Sequence, residues 1–442
     1  MTSELDLYPA DTSAEATLRF IKTARPVDLA SWLSRLSVDA AAEHLVEIGP
    51  KRRAQAFARL PSDHQASLGA MLPDHVLARI VADMNADDRV DFFNQLTPGA
   101  QERLSRHLRP EVRAAIHRLS SYPEECAGAI MTSDYAVLSA GMTAAEAIAA
   151  LRAQAPGAET IYRSYIVDAD HRLTGSVRLH ALILAADDTP VEDLVEAAPV
   201  SVTPETDQED VGKMIARYDL LAIPVVGTDG RLMGIVTHDD AVDVMQAEAT
   251  EDFQKMSHVL PFKQTMRDAG IGILYSKRIL WLTLLVFGNL FSGAGIAYFE
   301  DVILAYVSLV FFLPLLIDSS GNAGSQSATL MVRALATGDV ELKDWSHMIL
   351  RELAVAAALG ATMALVVFPL GAWRGGADVA LTIGLTMFVV VLIGSLVGMS
   401  LPFLLSCLRL DPATASGPLV TTISDATGVL IYFSIATAVL SL

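Results

Sequence analysis

Cysteine is nearly missing. The chain has two in 442 residues, Cys126 and Cys407, far apart in sequence. That excludes a disulfide framework, and no Cys/His spacing suits a zinc-type site. The scarcity fits a reducing compartment. Basic residues are also short, with 32 Lys and Arg against 51 Asp and Glu, a formal charge of −19. So acidic a surface repels nucleic acid and attracts cations. The opening MTSELDLYPADTS lacks the basic stretch and apolar core of a cleaved signal peptide. No nucleophile–base constellation or phosphate-binding loop is present, and GTDG at Gly227 reads as a turn, so no enzyme is expected.

What is present is unevenly distributed. From Ile279 onward there are ten acids and five Lys/Arg, whereas Met1 to Arg278 holds 41 acids and 27 bases. An acidic, water-soluble part therefore precedes an apolar one. Within the first part, Leu36, Ile48, Leu60, Leu72, Met84, Leu96 and Leu108 recur every twelve residues, and Pro61, Pro73, Pro98 and Pro110 follow most of them closely. Proline-started or Asp/Ser-capped short helices fit this punctuation. A short helix cannot bury its apolar face alone, so residues 20–120 read as a stacked helical array.

Further on, VDADHRLTGSV at Val167 returns as VGTDGRLMGIV at Val226, 59 residues later. Each copy reads strand, turn, strand, after a helical pattern (TAAEAIAALRAQ and DQEDVGKMIARY). Two copies of one α/β unit would pack as a pseudo-twofold pair. The arrangement resembles a tandem of CBS modules, which commonly sense adenine nucleotides or ions. A charged, mostly helical connector follows and ends at YSKR.

Five membrane candidates come next, starting at Ile279, Val302, Leu353, Val379 and Pro418, each long enough to cross about 30 Å of hydrocarbon. Lys277, Arg278, Arg333, Lys343, Arg351 and Arg409 lie on the side shared with the N-terminal part, while the opposite side offers Glu300, Asp301 and a lone Arg374. The basic excess places the soluble part in the cytoplasm and Leu442 outside.

Asp425 sits in the last candidate span, PLVTTISDATGVLIYFSIATAVL. A charge at depth is costly and usually faces a protein interior or a water-filled path. One reading is a carboxylate that caps a helix or bonds the hydroxyls of Thr421, Thr422 or Ser424; the other is a cation site on a permeation path. The second span adds polar groups at Asp318, Ser319, Ser320, Asn322, Ser325 and Gln326, with Gly321 and Gly324 among them. Polar, irregular backbone at this depth is tolerated only where protein or water satisfies it. That predicts a re-entrant or broken helix lining a cavity, or a polar loop between two shorter segments. GSLVG at Gly394 is a small-xxx-small pattern suited to close helix contact. Five helices make a thin wall, so a symmetric dimer with two Asp425 carboxylates around one axis is expected, and their repulsion favours a divalent cation. Oxygen ligands alone favour a hard ion such as Mg²⁺.

The soluble part offers acids too: Asp87, Asp88 and Asp91 in NADDRVDFF, and Asp239, Asp240, Asp243, Glu248, Glu251 and Asp252 in HDDAVDVMQAEATEDF. At helical spacing Asp240, Asp243 and Glu251 lie near one face, which repels itself unless cations screen it.

Together these stretches resemble the MgtE family of magnesium channels. GNAGSQSATLMVRALATGD and SDATGVLIYFSIA are the most specific matches, and the order of domains covers nearly the whole chain. The resemblance implies a multidomain protein: a tail (1–19), an all-α helical-array N domain (20–125), an α/β tandem CBS domain (126–244), a connecting or plug helix (245–277) and a five-helix transmembrane pore domain (278–442). It implies a homodimer in the bilayer of the bacterial inner membrane that conducts Mg²⁺ and is closed by cytosolic Mg²⁺ bound between acidic surfaces. Asp425 matches the pore aspartate, with Thr421, Gly417, Ser325 and Asn322 beside it. The matching regulatory acids are Asp87, Asp88 or Asp91, then Glu209, Asp219, Asp240, Asp243, Glu248, Glu251 and Asp252. Three departures stand out. Ser320-Gly321 replaces a Gly-Gly pair, and Ser325 and Gly417 replace pore asparagines, which leaves more of the selectivity to Asp425. In the second CBS copy Thr237 and Asp240 hold the hydroxyl and carboxylate positions of an ATP site, whereas the first copy has Arg178 and Ala181 there, and Asp240 is claimed by both ATP and Mg²⁺. The competing reading is an H⁺- or Na⁺-coupled carrier of Mg²⁺, Co²⁺ or Mn²⁺; such carriers often contain inverted repeats, and none is visible here. A sensor that transports nothing would not need a polar second span.

Overall fold

The computed structural model describes residues 14–257, 259–262, 269–414 and 417–440. Residues 1–13 of the expected tail, and 258 and 263–268 of the expected connector, lie outside them. The chain forms two compact units, Met1–Gln246 and Ala247–Leu442.

In the first unit the described residues start with α1 (Ala14–Thr23), α2 (Pro26–Leu33), α3 (Val38–Glu47), α4 (Pro50–Ala58), α5 (Ser62–Met71), α6 (Asp74–Ala82), α7 (Ala86–Gln95), α8 (Pro98–His107) and α9 (Pro110–Leu119). Proline opens α2, α4, α8 and α9, where its missing N–H costs no hydrogen bond. The twelve-residue repeat falls in the linkers rather than the helices. Ile48, Leu72 and Leu108 are buried in extended conformation just past a helix end, so each linker is pinned by an apolar side chain. A second device has the same period. Arg53, Gln65, Arg89 and Gln101 each reach back to carbonyls that the preceding helix leaves open, as in Gln65 Nε2 to Phe57 O (2.9 Å) and Arg89 Nε to Val81 O (3.0 Å).

After α10 (Ala127–Ile130) come β1 (Tyr135–Leu138), α11 (Ala144–Gln154), β2 (Thr160–Val167), β3 (Leu173–Arg178), α12 (Leu179–Leu184), β4 (Glu196–Ala197), α13 (Gln208–Arg217), β5 (Ala222–Val226), β6 (Leu232–Thr237) and α14 (His238–Met256). The sheets run β1-β2-β3-β4 and β5-β6. The two sequence repeats are the antiparallel hairpins β2–β3 and β5–β6. Their turns meet reciprocally: Leu173 N donates to Gly230 O (3.0 Å) and Leu232 N to His171 O (3.1 Å), as a pseudo-twofold pair requires. The apolar core of the array continues into the second copy through Val211, Ile215, Ile223 and Val236.

The second unit holds the end of α14 from Ala247 onward, then α15 (Ile271–Tyr298), α16 (Glu300–Ala305), α17 (Ser308–Ala336), α18 (Trp345–Cys407) and α19 (Gly417–Leu440). Among the described residues three stretches are both long and apolar enough to span a membrane: Ile271–Tyr298, Leu342–Cys407 and Gly417–Leu440. The middle one contains two expected spans, parted at Gly376, whose φ of 83° only glycine adopts freely. The remaining expected span is α17, 29 residues long.

One expectation is corrected here. The polar run from Asp318 to Gln326 is neither a break nor a re-entrant turn; α17 passes through it as continuous helix. Its glycines serve close approach instead of bending. A Cβ on Gly321 would strike Thr421, and one on Gly324 would strike Val420 and the Gly394 carbonyl. Gly394 and Gly398 in turn face the carbonyls of Ser320 and Gly324, so α17 and the second half of α18 touch backbone to backbone. The polar side chains find partners without unwinding the helix: Ser319 Oγ donates to Leu315 O (2.7 Å) and the buried Ser320 Oγ to Val390 O (2.9 Å).

Gly398→Val would drive a side chain into the Gly324 carbonyl and is expected to abolish the monodisperse peak of the solubilised protein in size-exclusion chromatography. Gly293→Val, where nothing lies within 4 Å of an added Cβ, is expected to elute as the native protein does.

Candidate functional site

In the second unit, α17 and α19 run antiparallel with a readable register. Ser325 Oγ donates to Gly417 O (3.4 Å), Thr421 lies over Gly321, and Tyr432 Oη donates to Leu309 O (2.9 Å). Four residues expected in the pore, Asn322, Ser325, Gly417 and Thr421, therefore share one helix pair with Asp425. Asp425 is half-buried. The hydroxyls around it are committed to their own helix: Thr421 and Thr422 Oγ1 donate to Pro418 O (2.9 and 2.8 Å) and Thr427 Oγ1 to Ile423 O (2.8 Å). Ser424 Oγ is buried without a partner. None of these groups donates to the Asp425 carboxylate, which removes the reading of Asp425 as a cap or hydroxyl acceptor. Asp425 is left as a half-buried carboxylate in an apolar helix, accepting from none of these hydroxyls, and a carboxylate is a donor suited to a hard cation.

In the first unit, acids of the array meet acids of the CBS pair. Asp87 and Asp88 occupy the first turn of α7, where the helix dipole favours negative charge. Asp239 and Asp240 open α14, and Glu159 stands just before β2. Asn85 Nδ2 donates to Glu159 Oε1 (2.9 Å) across this contact. Asp87 Oδ1 and Glu159 Oε2 are sealed from solvent without hydrogen-bond partners. Burial, then the charges of Asp240, Asp88 and Glu159, push the Asp87 carboxyl well above the usual carboxylate range. Burial, reinforced by Asp240, raises Glu159 to about 7. Burial raises Asp240 to about 6; the Thr237 hydroxyl opposes this, and Asp239 and Asp88 add to it. Burial also raises Asp88, with Arg59 opposing and Asp243 and Asp239 adding. Uncompensated negative charge with orphaned oxygens fits a cation. Among the described residues no three acidic, histidine or cysteine side chains converge into a ready-made cage. An ion that keeps much of its water, as Mg²⁺ does, needs no such cage.

The other expected regulatory acids are placed differently. Asp91 is exposed one turn along α7, and Asp243 is exposed on α14. Glu209 pairs with Lys213 (2.9 Å) on α13, and Asp219 follows that helix in left-handed conformation with φ of 50°. Glu248 and Asp252 are half-buried on α14. Glu251 Oε1 accepts from Lys255 Nζ (2.6 Å), which also reaches Asp411 Oδ2 (2.5 Å) ahead of α19. The two expected ATP residues face each other: Thr237 Oγ1 lies within hydrogen-bond reach of Asp240 Oδ2 and of Asp239 Oδ1, the latter at 2.7 Å, and its one hydrogen serves one of them at a time.

Sequence reasoning missed Glu159, Asp411 and Lys255. Glu159 belongs to no acidic run, so nothing in its neighbourhood marks it. Asp411 and Lys255 are 156 residues apart and meet only in the fold.

Comparison with known proteins agrees with this layout. A model for the MgtE divalent cation transporter family matches residues 313–435. The MgtE intracellular N domain matches 24–125 and the CBS domain 127–188 and 191–247. The magnesium transporter MgtE of Thermus thermophilus is 37% identical over 433 residues, 97% of this chain and 96% of that protein. Its counterpart from Bacillus subtilis is 36% identical over 73% of this chain and 72% of that protein. Among solved structures, the cytosolic domain of the Mg²⁺ channel MgtE in complex with ATP aligns with a TM-score of 0.51 and 34% identity, over 52% of this chain and 95% of that one. The soluble part of a magnesium transporter gives 0.50 and 33%, over 52% and 91%. With its array, CBS pair and apolar helices in the family's order, the chain belongs to the MgtE family.

Proposed function

We propose that this protein is a homodimeric Mg²⁺ channel of the bacterial inner membrane, with its soluble unit in the cytoplasm, its C-terminus outside and no catalytic activity. The observation that carries this reading is the Asp425 carboxylate at membrane depth with no hydroxyl donated to it. Thr421, Gly417, Ser325 and Asn322 line the same path. The excess of Lys and Arg on the side of Arg278 supports the orientation. Mg²⁺ is the substrate here, and relatives named as magnesium transporters support that choice over other hard ions.

Cytosolic Mg²⁺ also regulates the channel in this proposal. Asp87, Asp88, Glu159, Asp239 and Asp240 repel one another when bare and pack when a cation lies among them. An ion that binds the packed state better shifts the population toward it, and the packed state is the closed one. Asp91, Glu209, Asp219, Asp243, Glu248, Glu251 and Asp252 complete the acidic surfaces. An ATP that used Thr237 and Asp240 would replace the hydrogen bond between them and compete with Mg²⁺ for the Asp240 carboxylate.

Flux into proteoliposomes loaded with a Mg²⁺ indicator tests the pore. Native protein is expected to admit Mg²⁺, and Asp425→Ala to slow influx at least about tenfold. A protonophore or removal of Na⁺ is expected to change nothing at fixed voltage; influx that stops with either would establish a coupled carrier instead.

Thermal unfolding tests the regulatory cluster. Its carboxyls titrate above their unfolded values, so the packed state loses stability as pH rises from about 4 toward 7. Without divalent ions, melting temperature is expected to fall by several degrees between pH 5 and pH 8. Mg²⁺ is expected to restore it at pH 8 and to add little at pH 5, where protons already relieve the repulsion. Equal Mg²⁺ stabilisation at both pH values, or an unchanged response in the Asp87→Asn, Glu159→Gln double variant, would remove this cluster from regulation.

A further inference from the structure

Asp318, Asn322 and Gln326 lie four residues apart on α17 and share one face. All three are exposed in the single chain. Hydrocarbon cannot satisfy such a row, so it borders protein or water. The antiparallel register sets its depth. Ser325 pairs with Gly417, Gly321 with Thr421, Ile317 approaches Gly428, and Leu309 takes the Tyr432 hydroxyl. Continuing that register brings Asp318 level with Ser424 and Asp425. Asn322 Nδ2 donates to Asp318 Oδ2 (3.0 Å), which fixes the carboxylate and leaves Oδ1 open. At the same level Ser424 Oγ, in a residue only 1% exposed, has no hydrogen-bond partner. Two acids at one depth, beside a buried hydroxyl with no partner, are not accounted for by helix packing, and a cation with its water satisfies both carboxylates.

We propose that Asp318 is a second ion-facing carboxylate of the permeation path, level with Asp425, and that the two together hold a hydrated divalent cation. This rests on Asp425 being in the pore. In a two-fold assembly the level would carry four carboxylates, which raises the preference for divalent over monovalent ions through charge count alone. Asn322 is then a positioning residue, since it acts by fixing Asp318.

The test uses the full chain in proteoliposomes, with half-saturating Mg²⁺ and Mg²⁺ against Na⁺ permeation as readouts. Asp318→Asn is expected to raise the half-saturating Mg²⁺ concentration about tenfold and to weaken preference for Mg²⁺ over Na⁺. Asp318→Glu is expected to recover most of both. Native half-saturation and selectivity in Asp318→Asn, beside loss of flux in Asp425→Asn, would overturn the role of Asp318 alone. Native behaviour in both variants would overturn the pore itself. Should Asp318→Asn fail to give monodisperse protein, Asp318→Cys in a background of Cys126→Ser and Cys407→Ser supplies the test after folding. An anionic thiosulfonate is expected to restore divalent preference and a cationic one to block flux. Equal effects of the two reagents would overturn the proposal.

Discussion

A carboxylate taken out of water needs a proton, a base or a metal ion beside it. Both units of this protein gather carboxylates under that constraint and differ in how they meet it. In the soluble unit the acids come from the array and from the CBS pair, stretches far apart in sequence that share one apolar core, so their repulsion acts across the contact between them. In the membrane unit Asp318 and Asp425 belong to two helices locked by glycine, so their repulsion cannot be relieved by moving apart. A contact that can loosen suits a response to ion concentration. A rigid one suits selection of an ion that passes.

The glycines decide which behaviour is available. Gly324 of α17 and Gly394 and Gly398 of α18 bring backbones to van der Waals contact, and no side chain intervenes that might slide or repack. Thr421 fits over Gly321 on the other side, which fixes α19 as well. The array is different in kind. Its linkers are pinned by apolar side chains and four helix ends are closed by a side chain from further along, so the array is a chain of small, similar joints.

Parts of this were legible in the sequence for definite reasons. The array announced itself through a twelve-residue period, because every linker poses the same packing problem. The CBS hairpins announced themselves because both copies need the same turn. Asp425 was visible because an acid in an apolar run has few explanations. The back-capping by Arg53, Gln65, Arg89 and Gln101 has the same period but was not read, since a polar residue on a helix looks like surface until its carbonyl partner is known. Glu159 carried no signal, because what distinguishes it is the burial of one oxygen. The polar run of α17 was read as a break because glycine and serine weaken isolated helices. Tertiary packing overrode that local preference, and the same small residues became the contact surface.

Lys255 shows what the other acids lack. Its ammonium lies between Glu251 and Asp411, and those two carboxylates hold it well above the usual lysine range despite its burial. Here the chain supplies its own cation between Glu251 and Asp411. Among the described residues no base forms an ion pair with Asp87, Glu159 or Asp240, and hydroxyls and backbone amides are the hydrogen-bonding groups that oppose their upward shifts. The contrast separates two roles on one helix. The start of α14 carries acids with no base paired to them among the described residues, whereas its end is tied by Lys255 to Asp411 ahead of α19.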